Sequence, residues 1–331
     1  MARVLTGIQS TGVPHLGNLL GAIIPGVSLS EEAGNDAFFF IADLHSMTTI
    51  RDPEIRRKNT RAVAAAWLAC GFNTEKGTFY RQSDVTEVTE MAWYLSCYMS
   101  YNRLKLAHSF KDKAERVEQV NAGLFNYPVL MAADILCYDA DIVPVGKDQK
   151  QHIEFTRDLA ELINREYGDT LVVPKARIQK DSMVVPGTDG FKMSKSRHNV
   201  INIFQSDKAL KKEIMGIVTD STPLEEPKDP DKNVIFQLFS LISEPGQVQE
   251  MRENFLKGGY GYGHAKTALY NRILERFAHV RDQYQYFMDH PEELEDHLDT
   301  GAVKAHRVAG GVLARLREKL GFRKSSQTFA H

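Results

Sequence analysis

Up to about Ser206, short apolar runs alternate with amphipathic stretches. Arg3–Gln9 has the length and content of a strand ending in a turn, and helical spacing begins near Gly17. Asp36 leads into Ala37–Ala42, a continuous apolar run that suits a strand buried on both faces. Pro53 fits the first turn of a helix that carries Ala62, Val63, Ala66, Trp67 and Cys70 and stops at Gly71. Thr78–Arg81 and Asp141–Val145 are further short strands, and Asp148–Tyr167 is a long helix. This alternation predicts an α/β fold with a doubly wound parallel sheet.

Beyond Ser206 the pattern turns helical, near 207–218, 232–243, 263–288 and 301–320. Leu269, Ile273, Phe277 and Val280 form one apolar stripe with basic residues opposite. Pro223, Pro227 and Pro230 mark a loop inside this half. The expected organisation is an α/β domain over 1–206 and an all-α domain over 207–331.

Composition changes this picture little. The 331 residues are 43% hydrophobic and 25% charged with a formal net charge of −2, so any nucleic-acid contact must rest on local patches. The N-terminal residues lack the apolar run and cleavage site of a signal peptide, and no apolar stretch suits a bilayer, which makes a cytoplasmic protein the expectation. Cys70, Cys97 and Cys137 sit among apolar residues and are expected to be buried, inert thiols. No closely spaced His/Cys set suggests a protein-held metal.

Two segments carry chemistry. Gly7, Gly12, Gly17 and Gly21 bracket Gln9-Ser10-Thr11 and His15-Leu16-Gly17-Asn18. Glycines admit a phosphate close to the backbone, and a helix N-terminus offers unpaired N–H donors. Neither Walker A nor GxGxxG is present, and an ordinary glycine-rich strand–helix turn explains this stretch alone. Lys192-Met193-Ser194-Lys195-Ser196 follows the turn-rich Pro186-Gly187-Thr188-Asp189-Gly190. Two lysines on such a loop can meet charge developing on a leaving phosphate.

Together these segments resemble the HIGH and KMSKS signatures of class I aminoacyl-tRNA synthetases. Ile41–Thr48, Met131–Leu136 and Val143–Gln149 are similar to the bacterial-type tryptophanyl-tRNA synthetases across the whole catalytic half, with a weaker match beyond. The resemblance implies a Rossmann-like catalytic domain. The fourth HIGH position is Asn18 rather than His, and Lys147 stands where relatives carry an acid.

Tyr127, Met131 and Asp134 are spaced i, i+4, i+7 and share a face if their segment is helical. A buried acid on an apolar face needs a donor, and backbone or a neighbouring base is its commoner partner. By resemblance, Asp134 accepts the indole N–H of L-tryptophan, Met131 packs on the ring, Val143 and Val145 form walls, and Leu5 and Gly7 the edge. Core packing explains those apolar residues equally well. The same resemblance puts His45 and Gln149 at the amino-acid end. Phenylalanine would then leave Asp134 unpaired at about 1–3 kcal/mol, which makes an editing domain unnecessary.

The implied reaction is attack of the tryptophan carboxylate on the α-phosphate of ATP, then transfer of tryptophan to tRNA(Trp). An ionised carboxylate needs no general base, so catalysis rests on positioning and charge. Gln9, Ser10, Thr11, Gly17 and Asn18, with His15, are assigned to phosphate and ribose. Gly146, Lys147 and Asp148 are assigned to ribose or adenine, and Val185 or its neighbour Val184 to adenine. Lys192, Met193, Ser194, Lys195 and Ser196 take the pyrophosphate, with Mg²⁺ on phosphate oxygens. Lys113 is carried over as reaching the triphosphate, although a solvated lysine explains it as well. The helical half is expected to contact the anticodon, with Lys266, Arg272, Arg276 and Arg281 as candidates unless they form a solvated face. A homodimer with contacts near 85–119 follows by analogy. The rival readings are a tyrosyl enzyme, a nucleotidyltransferase and a catalytically inert RNA-binding paralogue.

Overall fold

The computed structural model describes residues 1–107, 120–146, 149–178 and 184–322. Five strands form one parallel sheet: β1 (Ala2–Gln9), β2 (Asn35–Ala42), β3 (Thr78–Arg81), β4 (Ile142–Val145) and β5 (Lys175–Ile178), in the order β3-β2-β1-β4-β5. β5 escaped the sequence reading because Lys175 and Arg177 are exposed on an edge strand and interrupt any apolar run. β1 pairs with β2 from Ala2 to Gln9, but with β4 in register at Val4 and Ile142 alone. The two central strands therefore part towards their carboxyl ends. Strand order reverses between the same two strands, the topological switch point where open α/β sheets hold ligands.

The first helical stretch comprises α1 (Leu16–Asn18), a π-helical turn (Leu19–Ile23) and α2 (Ile24–Glu31). Pro25 has no N–H to continue an α ladder, which accounts for the widened turn before it. After α3 (Asp43–Ser46), α4 (Pro53–Ala69) starts at Asp52, whose carboxylate accepts from the backbone of Glu54 and Ile55. Its alanines let Trp67 close on Phe39, with ring centroids 5.1 Å apart. Among the described residues, α5 (Glu87–Tyr98) and α6 (Tyr101–Lys105) precede α7 (Ala122–Leu136) and α8 (Lys150–Tyr167).

Six helices follow: α9 (Asp207–Met215), α10 (Val234–Ile242), α11 (Pro245–Lys257), α12 (Tyr262–Arg276), α13 (Ala278–Asp289) and α14 (Pro291–Lys319). The sequence pattern missed α11, merged α12 with α13, and started α14 ten residues late, where Glu292, Glu293, Glu295 and Asp296 obscure the apolar stripe. Leu294 and Leu298 of α14 join the core of Phe39, Trp67 and Phe79, and Ala302–Leu316 join the core on the other sheet face. The helical half thus shares its apolar core with the sheet. Arg81 pairs with Glu295 and Asp299, and Arg315 with Asp139, along the same contact.

Candidate active site

Where β1 and β4 part, a cavity of about 310 Å³ opens. Leu5, Gly7 and Gln9 reach it from β1, and Val143, Val145, Gly146 and Gln149 from β4 and the turn after it. Tyr127, Met131 and Asp134 line it from α7, so the helical spacing read from the sequence does bring them to one wall. Gly21, Ala22, Gly26 and Trp67 also line it, which the sequence did not suggest. At Gly7 any side chain would meet Phe40, whose ring lies 2.5 Å from the Cβ position.

Asp134 is 2% exposed. His45 Nε2 lies 2.8 Å from its Oδ2, and Gln82 Nε2 donates to its Oδ1 at 2.7 Å. Burial pushes this carboxyl above the usual range, and the bonds from His45 and Gln82 pull the other way. The His45 ring also packs on Tyr127, with centroids 4.3 Å apart. His45 and Gln149 line the same cavity as Asp134, so the structure brings the three together. The phenylalanine estimate is corrected: Asp134 keeps two internal donors whatever fills the cavity. Gln82 has no motif in the sequence, and its position just after β3 was its only signal.

Beside the cavity the two motifs meet. Lys195 Nζ lies 3.1 Å from the Cβ position of Gly12, a residue at φ 136° that favours glycine. Gly17 N–H donates to Met193 Sδ at 3.3 Å, and Leu16 N–H to Ile201 O at 2.9 Å. Burial first, and the nearby Lys195 second, push His15 down to about 4, so it is a neutral imidazole at pH 7. Burial also lowers Lys195 to about 8. Lys192 is exposed, and Ser194 and Ser196 share a hydroxyl–hydroxyl bond of 2.9 Å. Asn199, unnoticed in the sequence, shapes this loop: it accepts from Ser194 N–H and donates to Asp189 and Lys192 O.

Several expectations change. Ser10 is fully buried and its hydroxyl turns to Ser46, so its side chain does not face the cradle. Asn18 Oδ1 accepts from His15 N–H, capping its own helix, while Thr11 is exposed and is not among the residues lining the cavity. Val185 is buried and its carbonyl accepts from Met193 N–H, whereas Val184 is exposed. Lys266 donates to Met215 O, Arg272 and Arg276 to Ile242 O, and Arg281 to Gln205 O and Asp207. Lys266, Arg272 and Arg276 meet carbonyls at helix C-termini, and Arg281 joins α13 to the start of α9, so these bases bind the helical half together, with Arg276 also exposed. Cys97 is exposed and Cys70 partly so, against the expectation of three buried thiols; burial still lifts Cys70 to about 12. Lys113, Lys147 and Asp148 lie outside the described residues. Among the described residues no group of three or more His, Cys, Asp or Glu side chains could hold a metal, and no helix is long and apolar enough to cross a membrane.

Residues 1–278 match the family model for tRNA synthetases class I (W and Y). The chain is 45% identical to the tryptophan–tRNA ligase of Fusobacterium nucleatum subsp. nucleatum, covering 97% of this chain and 98% of that one. Identity to the Rhodopirellula baltica ligase of the same description is 46%, over 97% and 100%. The Campylobacter jejuni tryptophanyl-tRNA synthetase complexed with ADP and tryptophan has a TM-score of 0.92 at 45% identity, covering 97% of this chain and 100% of that one. A tyrosyl-tRNA synthetase of Archaeoglobus fulgidus, at 18% identity, 86% and 90% coverage and TM-score 0.62, shares the fold alone. The chain belongs to the class I tRNA synthetases of the tryptophan and tyrosine family, and within it to the tryptophan–tRNA ligases.

Proposed function

We propose that this chain activates L-tryptophan with ATP to tryptophanyl-adenylate and pyrophosphate, then transfers tryptophan to the 3′ end of tRNA(Trp). The observation that carries the specificity is Asp134, buried at the end of an apolar-walled cavity with both oxygens already receiving donors. Two internal bonds occupy two of roughly four lone-pair positions on a carboxylate, which leaves room for an indole N–H. Met131, Val143 and Val145 supply apolar contact for the ring. Tyrosine and phenylalanine present no N–H at that point and forgo the hydrogen bond that tryptophan gains there.

The tryptophan carboxylate enters ionised and attacks the α-phosphate; the bond to the β,γ-pyrophosphate breaks with inversion of the α-phosphorus. His15, neutral at pH 7, offers a hydrogen bond without adding charge. Lys195 and Lys192 meet charge growing on the departing pyrophosphate, and phosphate beside Lys195 favours its ammonium form. Mg²⁺ would arrive on the phosphate oxygens of ATP. Gln9, Gly17 and Gly146 remain the nucleotide-side assignments, with Lys147, Asp148 and Lys113 carried by resemblance. The helical half over 207–331 takes the anticodon. Trp93, 68% exposed on α5, with Cys97 and Tyr101 beyond it, supports a homodimer through this face. A cytoplasmic site of action fits the reaction.

Pyrophosphate exchange into ATP tests the reading, with tryptophan and tyrosine as parallel substrates. In Asp134→Asn the amide oxygen can still accept from Gln82 Nε2, which turns the N–H₂ to the side of His45 Nε2; one acceptor oxygen of the carboxylate is thereby replaced by a donor, and the indole N–H loses an acceptor. KM for tryptophan should rise roughly 5- to 150-fold, from about 1–3 kcal/mol of lost pairing. Exchange driven by tyrosine instead would overturn the assignment.

A further inference from the structure

Gln82 is completely buried and belongs to no recognisable motif. Its Oε1 accepts from the backbone N–H groups of Leu44 and His45, at 3.1 and 3.4 Å, and its Nε2 donates to Asp134 Oδ1 at 2.7 Å. The amide orientation is determined, because reversing it would set N–H₂ against two backbone donors. One side chain therefore ties the turn that carries His45 to the carboxylate that His45 also grips. Arg81, the preceding residue, is anchored by Asp84, Glu295 and Asp299, which fixes the end of β3 from which Gln82 projects. We propose that Gln82 is a positioning residue for tryptophan selection: it holds Asp134 at the angle at which the carboxylate accepts the substrate's indole N–H. This rests on the assignment of Asp134 to the indole.

Without Gln82, Asp134 keeps His45 but can rotate about its side-chain torsions, and its Oδ1 lacks a buried donor. The loss should fall on recognition of the N–H rather than on ring burial or on ATP. The test uses the full chain and compares tryptophan with β-(3-benzothienyl)alanine, in which sulfur replaces the indole N–H. In Gln82→Met, of similar length without hydrogen-bonding groups, KM for tryptophan should rise about tenfold. KM for ATP and kcat should stay within about twofold, and the preference for tryptophan over the analogue should shrink by the same factor as the KM rise. Gln82→Glu is the rescue arm. A protonated Glu can donate to Asp134 and accept from the turn, whereas an ionised one repels it. The titratable groups facing it are Asp134 from α7 and His45 and Asp43 from α3, with Tyr80 and Cys137 also close to Asp134. Gln82→Glu should therefore prefer tryptophan more strongly at pH 6 than at pH 8.5. Equal losses for tryptophan and the analogue, or no change in either, in a variant with wild-type melting temperature would overturn the role of Gln82. A wild-type protein that does not distinguish the two substrates would instead overturn the Asp134 assignment beneath it.

Discussion

Gly301 lies where α14 crosses β3, and a Cβ there would fall onto the carbonyl group of Phe79, 2.5 Å from its carbon and 3.0 Å from its nitrogen. Phe79 is fully buried and paired in register with Phe39, so its backbone has no freedom to withdraw. In Gly301→Ala the helix must move instead, by roughly an ångström or more against a close-packed core. Alanine gains about 1 kcal/mol of helix propensity over glycine. Overpacking against a rigid neighbour costs about 1–3 kcal/mol, here at the upper end or beyond because the obstacle is main chain. The net change is a destabilisation of about 1–2 kcal/mol.

Gly311, ten residues along the same helix, is exposed with nothing within 4 Å of its Cβ position. Gly311→Ala should keep the whole propensity gain and stabilise by about 1 kcal/mol. Urea midpoints for the two variants should thus move in opposite directions from wild type. Retreat of α14 also loosens Arg81 from Glu295, and Gln82 follows Arg81 in the chain, so Gly301→Ala should raise KM for tryptophan while sparing ATP. A Gly301→Ala protein as stable as Gly311→Ala would refute the close approach of helix to strand, and the coupling drawn from it.

Gly7→Ala puts a methyl 2.5 Å from the Phe40 ring, which should cost about 1–3 kcal/mol in denaturation and raise KM for tryptophan as the methyl or the ring enters the cavity. Lys195, lowered to about 8 in the free protein, should give a kcat/KM for ATP in pyrophosphate exchange that declines above that pH; Lys195→Arg, charged throughout, should retain less activity but lose the alkaline decline. Between about 8 and 10.5 the unfolded chain binds more protons at Lys195 than the folded one, so its contribution to stability rises with pH there while activity falls. His15, lowered from 6.5 to about 4, contributes stability present above 6.5 and lost as pH falls towards 4, visible as an acid shift in melting temperature that His15→Gln removes. Lys228 is buried and donates to Pro223 O, Leu224 O and Glu226 O; Lys228→Met should destabilise the proline loop by about 1–3 kcal/mol, read by limited proteolysis of 219–231.

What the sequence made legible was periodic or contiguous. β2 declares itself as a continuous apolar run, and Tyr127, Met131 and Asp134 reach one wall because helical spacing is a local property. The proposed phosphate cradle is likewise local, since it consists of consecutive backbone and two lysines within one loop. Polar edge strands and cap interactions were not legible: β5 hides behind Lys175 and Arg177, and no pattern distinguishes Arg272 on Ile242 O from an arginine awaiting RNA.

The two ends of the site differ in how their charge is held, and this explains why one was easier to read. At the end proposed to take the indole, Asp134 is bonded by His45 and Gln82, which stand 89 and 52 residues away in the chain. Such a network stores its specificity in geometry that only folding assembles, and a shift of either partner redirects the acceptor. At the phosphate end, Lys195 is held where its ammonium is disfavoured, beside a neutral His15. If phosphate binds there as proposed, that cation gains most on its arrival, and the motif's contribution falls in binding and passage through the transition state rather than in the empty fold. ATP should accordingly raise the melting temperature of wild type more than that of Lys195→Gln, whereas the shift with tryptophan should be the same in both.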